Sequence, residues 1–412
     1  MNRLIGNAVV GQSGGPTAAI NATLSGVIKG VASYAKAGVI NKIYGMKNGI
    51  EGLLCERLVD LTDNMNNEGW LSTLENTPAA ALGSCRRKLK SHEADKETYE
   101  KLIEIFKKYD IRYFFYIGGN DSMDTVLKLS EYAKQHSYEL RVIGVPKTID
   151  NDLMATDHTP GFGSAAKFVA TTVKEILRDI NVYTVKAVTI IEIMGRDAGW
   201  FTASSALAGL SGECAPDLIY LPEKVFSEEE FISSVKAALE KHPAVLVCAS
   251  EGIKFADGEY VGSGGQSGAV DVFGHKYLSG TGKVLEGMVK EKIGCKVRSV
   301  ELSLTQRCAA HVASLADITE SVSVGKSAVD AAVKGETGVM ATILRNESGE
   351  YKASFGTADI RTIANEIKTV PDSYINSQGN GVTEECISYL KPLIQGETSV
   401  EYENGLPKHV II

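Results

Sequence analysis

Residues 113–122 read YFFYIGGNDS. Five apolar residues in a row, Tyr113 to Ile117, suit a strand buried on both faces, and the segment after the glycines has helical character. A strand apolar on both sides needs cover on both sides, the condition of a parallel sheet flanked by helices. The glycines also let backbone N–H groups approach an anion closely, and a helix N-terminus adds favourable potential for it. Against that reading stands Asp121, a carboxylate where an incoming phosphate would meet like charge.

The same signature recurs outward from this stretch. Apolar runs of strand character lie at 7–11 (NAVVG), 142–145 (VIGV), 187–193 (AVTIIEI), 244–249 (AVLVCA) and 338–344 (GVMATIL). Between them, Ile20, Leu24, Val27, Ile28 and Val31 follow helical spacing, as do Phe168, Val169, Thr172, Val173, Ile176 and Leu177. Ser227 and Glu230 form a capping box that opens a helix through Phe231, Val235 and Leu239. The expected class is α/β with largely parallel sheets.

The 412 residues allow two or three domains, and 44% hydrophobic with 23% charged is an ordinary globular balance. A net charge of −8 argues against nucleic acid or an acidic membrane surface as partner, since either favours a basic face. Seven cysteines, an odd number with no C-x-x-C pair, read as reduced thiols of a cytoplasmic protein. No apolar run approaches the roughly 20 residues that span a bilayer, and the N-terminus has no signal-peptide core. The polar stretch near 60–100 (TDNMNNEGW, then CRRKLKSHEADKE) reads as a surface excursion with solvated charges.

In open α/β sheets ligands sit beyond the carboxyl ends of the strands, so the loops after the runs are the candidate site. GQSGGPT (11–17) offers Gly14-Gly15, a second glycine pair able to cradle phosphate. PKTIDND (146–152) puts Lys147, Asp150 and Asp152 together; it reads equally as a solvated turn or as a general base beside a metal-holding carboxylate. MGRDAGW (194–200) supplies Arg196, either a phosphoryl clamp or the partner of a neighbouring carboxylate. Glu251 in SEG either accepts from polyol hydroxyls or caps a turn, and Gln306-Arg307 after the strand-like VELSL adds a further cation.

In this order, SGGP, GGNDS, PKTIDND, IMGR, SEG and QR resemble the phosphofructokinase family over roughly residues 5 to 330. The resemblance implies two doubly wound domains with the active site in the cleft between them. The expected division is 1–159 plus about 315–360 for the phosphoryl donor, and 160–314 plus about 361–412 for the sugar phosphate. It also implies Asp150 as the base toward the C1 hydroxyl of fructose 6-phosphate. Thr148, Met194, Gly195 and Glu251 would line the sugar; Arg196 would serve the transferring phosphoryl group and Arg307 would hold the 6-phosphate, with Ile149 and Gln306 also among the substrate-binding residues. Gly14 and Gly15 would contact substrate, with Asn120, Asp121 and Asp152 near Mg2+. A homodimer or homotetramer follows from the same resemblance.

ATP-using members read G-G-D-G-S and P-G-T-I-D-N-D, whereas this chain has Asp121 and Lys147 at the two variant glycines, matching the diphosphate-dependent branch. Two like charges about 4 Å apart cost on the order of 4 kcal/mol at an effective dielectric near 20, so Asp121 repels the α-phosphate of ATP. Diphosphate has no third phosphate to place there. The departures are Asn120 in place of aspartate, Ala187 beside Lys186 where an arginine is expected, and ADIT (316–319) where another is expected. They leave sedoheptulose 7-phosphate open as an additional substrate. The alternatives are an ATP-dependent phosphofructokinase, a non-catalytic regulatory subunit, and a relative of the NAD or lipid kinases that shares the G-G-D-G turn.

Overall fold

A computed structural model describes residues 4–212, 214–265 and 280–412. Eleven strands build its two main sheets: β1 (Gly6–Gln12), β2 (Ile40–Met46), β3 (Leu58–Asp60), β4 (Ile111–Gly118), β5 (Arg141–Pro146), β6 (Ala187–Ile193), β7 (Leu218–Tyr220), β8 (Ala244–Ser250), β9 (Lys296–Glu301), β10 (Val339–Arg345) and β11 (Ala353–Asp359). The first sheet has the order β11-β10-β5-β4-β1-β2-β3 and the second β7-β8-β6-β9. All pairings in the second sheet are parallel, and in the first only the edge strands β3 and β11 run antiparallel. The expected α/β architecture with largely parallel sheets is the one observed.

The six apolar runs all became strands. The strands missed were β2, β3, β7 and β11: β3 and β7 are only three residues long, and β2 and β11 are partly exposed, so their apolar run is broken by polar residues. The strand near VELSL begins earlier than expected, at Lys296, and stops at Glu301. Ser303 then takes a left-handed conformation (φ 48°) and turns the chain into the short helix Thr305–Cys308.

Helix Ile20–Ala35 crosses helix Leu315–Lys334 over glycines. A Cβ on Gly26 would lie 2.1 Å from the Val322 carbonyl oxygen, and one on Gly325 would lie 2.5 Å from that of Thr23. Their apolar faces, Leu24, Val27, Val324 and Ala328 among them, share one core with β1, β4 and β5 residues such as Val10, Phe115 and Ile143. Helix Phe162–Ile180 instead buries Val169, Val173 and Leu177 with Ile191, Leu246 and Cys248 of the second sheet. Its first turn is held by Asp317 of the other helix, whose carboxylate accepts from Gly161 N and Ser164 N, each at 2.9 Å. The Ser227 cap is present, accepting from Glu230 N at 3.3 Å.

The chain beyond β11 serves both sheets. Cys386 and Leu390 join the core under the second sheet, while Val410 and Ile412 return to pack against the first. The boundary expected at about 361 therefore does not separate two packing units. None of the helices among the described residues is long and apolar enough to cross a membrane, and all seven cysteines are free.

Candidate active site

A cleft of about 520 Å³ opens where loops from the carboxyl ends of both sheets face one another. On the first sheet, Gly14 adopts φ +75°, a conformation glycine reaches without strain. Its N–H donates to the Cys85 carbonyl at 3.1 Å, and its own carbonyl accepts from Ser84 Oγ at 2.6 Å. A Cβ on Gly14 would sit 3.2 Å from Lys147 Nζ, and one on Gly15 would sit 3.3 Å from Arg307 Nη1. Both glycines thus leave room for a cation at the backbone. The second glycine turn runs directly into helix Asn120–Gln135, with Gly119 as its N-cap and Asp121 in the first turn. The Ser13 and Ser122 hydroxyls hydrogen-bond to each other and join the two turns.

Lys147 follows β5 and is only 4% exposed. Its ammonium donates to the Gly15 carbonyl at 2.6 Å. Burial pushes its pKa down to about 8, against the pull of Asp150 and Asp152, while Arg307 and Arg86 push in the same direction as burial. The Asp150 N–H donates to Thr148 Oγ1 at 3.1 Å, and Asn151 then takes a left-handed conformation (φ 53°). Asn151 turns its side chain away from the cleft: Nδ2 donates to Tyr389 Oη at 3.0 Å and Oδ1 accepts from Lys368 Nζ at 3.2 Å. Lys368 also donates to the carbonyls of Thr156 (3.1 Å) and Asp157 (2.8 Å). The loop is held from behind, with Asp150 and Asp152 left lining the cleft. Burial, then the nearby Asp152 charge, raises the Asp150 pKa above the ordinary carboxylate range, with Lys147 and Arg196 opposing. Burial raises Asp152 as well.

The opposite wall comes from the second sheet. Met194 and Arg196 follow β6, and Gly195 between them has φ +131°. Met194 N donates to Gln306 Oε1 at 3.1 Å, and Gly195 N points to Glu251 Oε1 at 3.4 Å. The Glu251 backbone N–H donates to Ile193 at 2.9 Å. Burial pushes the Glu251 carboxyl up to about 7, and the Asp150 charge adds to it. A Cβ on Gly252 would lie 1.9 Å from the Arg196 carbonyl oxygen, so the SEG turn packs directly beneath the arginine's backbone.

Gly14, Gly15, Asn120, Asp121, Lys147, Thr148, Ile149, Asp150, Asp152, Met194, Arg196, Glu251 and Arg307 all line this cleft. Gly195 and Gln306 stand one layer behind. Gln306, 2% exposed, spends its side-chain oxygen on Met194 N, which suits orientation of the wall better than contact with a ligand. The reading of 60–100 as solvated charge needs correction, because Arg86, Arg87 and Lys88 line the cleft. Cys85 and Ser84 tie that segment to the first glycine turn. The available signal was a run of cations following Gly83-Ser84 in an acidic chain.

The family model described as Phosphofructokinase matches residues 7–332, which span every one of these loops. The chain belongs to the phosphofructokinase family. Among its relatives, the pyrophosphate–fructose 6-phosphate 1-phosphotransferase of Xanthomonas campestris is 43% identical over 98% of this chain and 96% of its own. The protein of the same name from Methylococcus capsulatus is 41% identical over the same shares. The crystal structure of a pyrophosphate-dependent phosphofructokinase from Nitrosospira multiformis superposes with a TM-score of 0.88 at 39% identity, covering 98% of this chain and 96% of that one.

Phosphofructokinases generally use Mg2+. Among the described residues, no group of three or more His, Cys, Asp or Glu side chains is arranged to hold a metal unaided. An ion that arrives with phosphate oxygens needs only one or two carboxylates and keeps several waters. Asp152 offers one carboxylate in the cleft, and Asn120 Oδ1 is a buried acceptor without a hydrogen-bond partner, which a metal-bound water would satisfy. Asp121 is engaged differently: its carboxylate lies 3.2 Å from Lys88 Nζ. The residues present therefore fit a substrate-borne magnesium ion, with Asp152 and Asn120 better suited to it than Asp121.

Proposed function

We propose that this chain is a diphosphate-dependent 6-phosphofructokinase, transferring a phosphoryl group from diphosphate to the C1 oxygen of fructose 6-phosphate and giving fructose 1,6-bisphosphate and phosphate. The observation that carries the reading is the joint placement of Asp121 and Lys147 in the cleft that also holds Asp150. The carboxylate narrows the donor end where a nucleotide would continue, and the buried ammonium supplies charge to a phosphoryl group instead. The names of the relatives above, each similar over nearly the whole chain, support the same donor.

In the reaction Asp150 takes the proton of the C1 hydroxyl, the oxygen attacks the nearer phosphorus, and the bridging P–O bond breaks to release phosphate. A buried carboxyl with a raised pKa is a better proton acceptor than an exposed one, provided neighbouring cations keep it ionised. Lys147 and Arg196 do so here, and both also bear on the transferred group. Glu251 and Thr148 would receive the sugar and Arg307 its 6-phosphate. Magnesium, held by Asp152 and through water by Asn120, would offset the charge of the donor phosphates. Because a diphosphate bond lies closer in energy to the product ester than ATP's terminal bond does, the reaction runs in both directions.

The proposal extends to a homodimer or homotetramer in the cytoplasm, with the first sheet carrying the donor and the second the sugar phosphate. A regulatory subunit is disfavoured because Thr148, Asp150 and Asp152 of TIDND and Met194 and Arg196 of MGR line the cleft. The test is turnover of fructose 6-phosphate with magnesium and either donor. Diphosphate should support product formation at least about tenfold more efficiently than ATP, a difference of about 1.4 kcal/mol; equal efficiency would reject the reading.

A further inference from the structure

A lone carboxylate at Asp121 would repel diphosphate as well as ATP, since both bring phosphate charge to the same helix N-terminus. The structure answers this with a residue outside the glycine loops. Lys88 Nζ stands 3.2 Å from Asp121 Oδ1, and both side chains line the cleft. The backbone that carries Lys88 is anchored on either side. Ser84 and Cys85 bond to Gly14 (2.6 and 3.1 Å), the Leu89 carbonyl accepts from Lys128 Nζ at 2.8 Å, and the Lys90 carbonyl accepts from Tyr99 Oη at 2.7 Å. Lys128 is itself held by Asp124, one turn beyond Asp121 on the same helix, at 2.6 Å. Anchored backbone on both sides thus keeps Lys88 within reach of Asp121.

We propose that Lys88 is a donor-specificity residue: its ion pair with Asp121 cancels the carboxylate's charge toward diphosphate while leaving the pair as a bar across the end of the donor cradle. This rests on the diphosphate reading above. The two side chains are 48% and 41% exposed, so the pair adds little to stability. Its effect falls on whatever anion enters beside it. With Lys88 present, two phosphates meet a neutral pair beyond Lys147, and a third phosphate meets the bar. Without Lys88, the carboxylate stands bare and repels the short donor too.

The experiment measures steady-state KM for diphosphate and for fructose 6-phosphate in wild type, Lys88→Met, Asp121→Asn and the double variant. Lys88→Met should raise KM for diphosphate about tenfold, a size one partly screened charge contact supplies, with KM for fructose 6-phosphate changed less than about twofold. In the Lys88→Met background, Asp121→Asn should recover most of the loss, because it removes the charge that Lys88 cancelled. Lys88→Arg should stay near wild type. An unchanged KM for diphosphate in Lys88→Met, or a loss that Asp121→Asn does not relieve, overturns the proposal while leaving the diphosphate reading intact. A wild type that turns over ATP but not diphosphate overturns both.

Discussion

Replacing Lys147 by methionine keeps roughly the volume and removes the charge. In the free enzyme the site opposes that charge: a pKa lowered from 10.5 to about 8 means burial disfavours the ammonium by about 3 kcal/mol net of its neighbours. A phosphate charge arriving about 4 Å away returns about 4 kcal/mol at an effective dielectric near 20, enough to offset the penalty. The variant loses this and leaves Asp150 without the cation that most favours its ionised form. The lost contact with the donor phosphate, about 4 kcal/mol, corresponds to a fall in kcat/KM for diphosphate of about three orders of magnitude. The pH profile gives a sharper readout. In wild type, kcat/KM should fall on the alkaline side near pH 8 as Lys147 loses its proton. Lys147→Met should lack that limb. Its acid limb should move to higher pH by about one unit or more, because an already raised Asp150 carboxyl has lost a cation that favoured its ionised form. Lys368, also lowered to about 8 by burial, remains in the variant. An alkaline limb that persists in Lys147→Met belongs to Lys368 and refutes the argument, as does a kcat/KM within about threefold of wild type.

Three other outcomes are expected. Asp150→Asn should lower kcat by about 10²- to 10⁴-fold with little change in either KM, measured with saturating diphosphate; a loss under about tenfold would remove Asp150 as the base. Asp121→Gly should lower the preference for diphosphate over ATP by about tenfold or more, less than a bare charge would give because Lys88 already offsets part of it. His158 is buried between Asp157 (2.8 Å) and Glu320 (2.6 Å). Burial alone would depress its pKa, but the bonds to both carboxylates raise it. A raised folded-state value means its contribution to stability is complete below about pH 6.5, the unfolded value, and is lost as pH rises from there through the higher folded-state value. His158→Gln should therefore lower Tm most at acid pH and flatten its decline toward pH 8, read by thermal unfolding across that range; an equal drop in Tm at every pH would refute the charged bridge.

Much of the fold was legible locally. Tyr113 to Ile117 is apolar throughout, and Ala187 to Ile193 is apolar except for Thr189 and Glu192, because strands at the centre of a parallel sheet are covered on both faces, and that demand is written into consecutive residues. The loops after them could be read for the same reason: a strand end fixes where the next few side chains emerge, so Asp150, Asp152 and Arg196 were marked by position as well as by type. β2 and β11 escaped because edge or half-exposed strands carry no such run.

What the sequence determined by itself was the order of strands and phosphate turns, and the donor choice suggested by Asp121 and Lys147. Only the tertiary structure decided what stands opposite each of them. Arg86, Arg87 and Lys88 looked like solvated surface until Gly14 and Cys85, 71 positions apart in the chain, were brought together. The TIDND loop keeps its shape through Tyr389, 238 residues beyond Asn151. Gln306, expected as a ligand contact, accepts from Met194 N, 112 residues earlier in the chain. Hydrogen bonds and ion pairs act over about 3 Å regardless of separation along the chain, so partners chosen by folding leave no local pattern in the residues that precede or follow them.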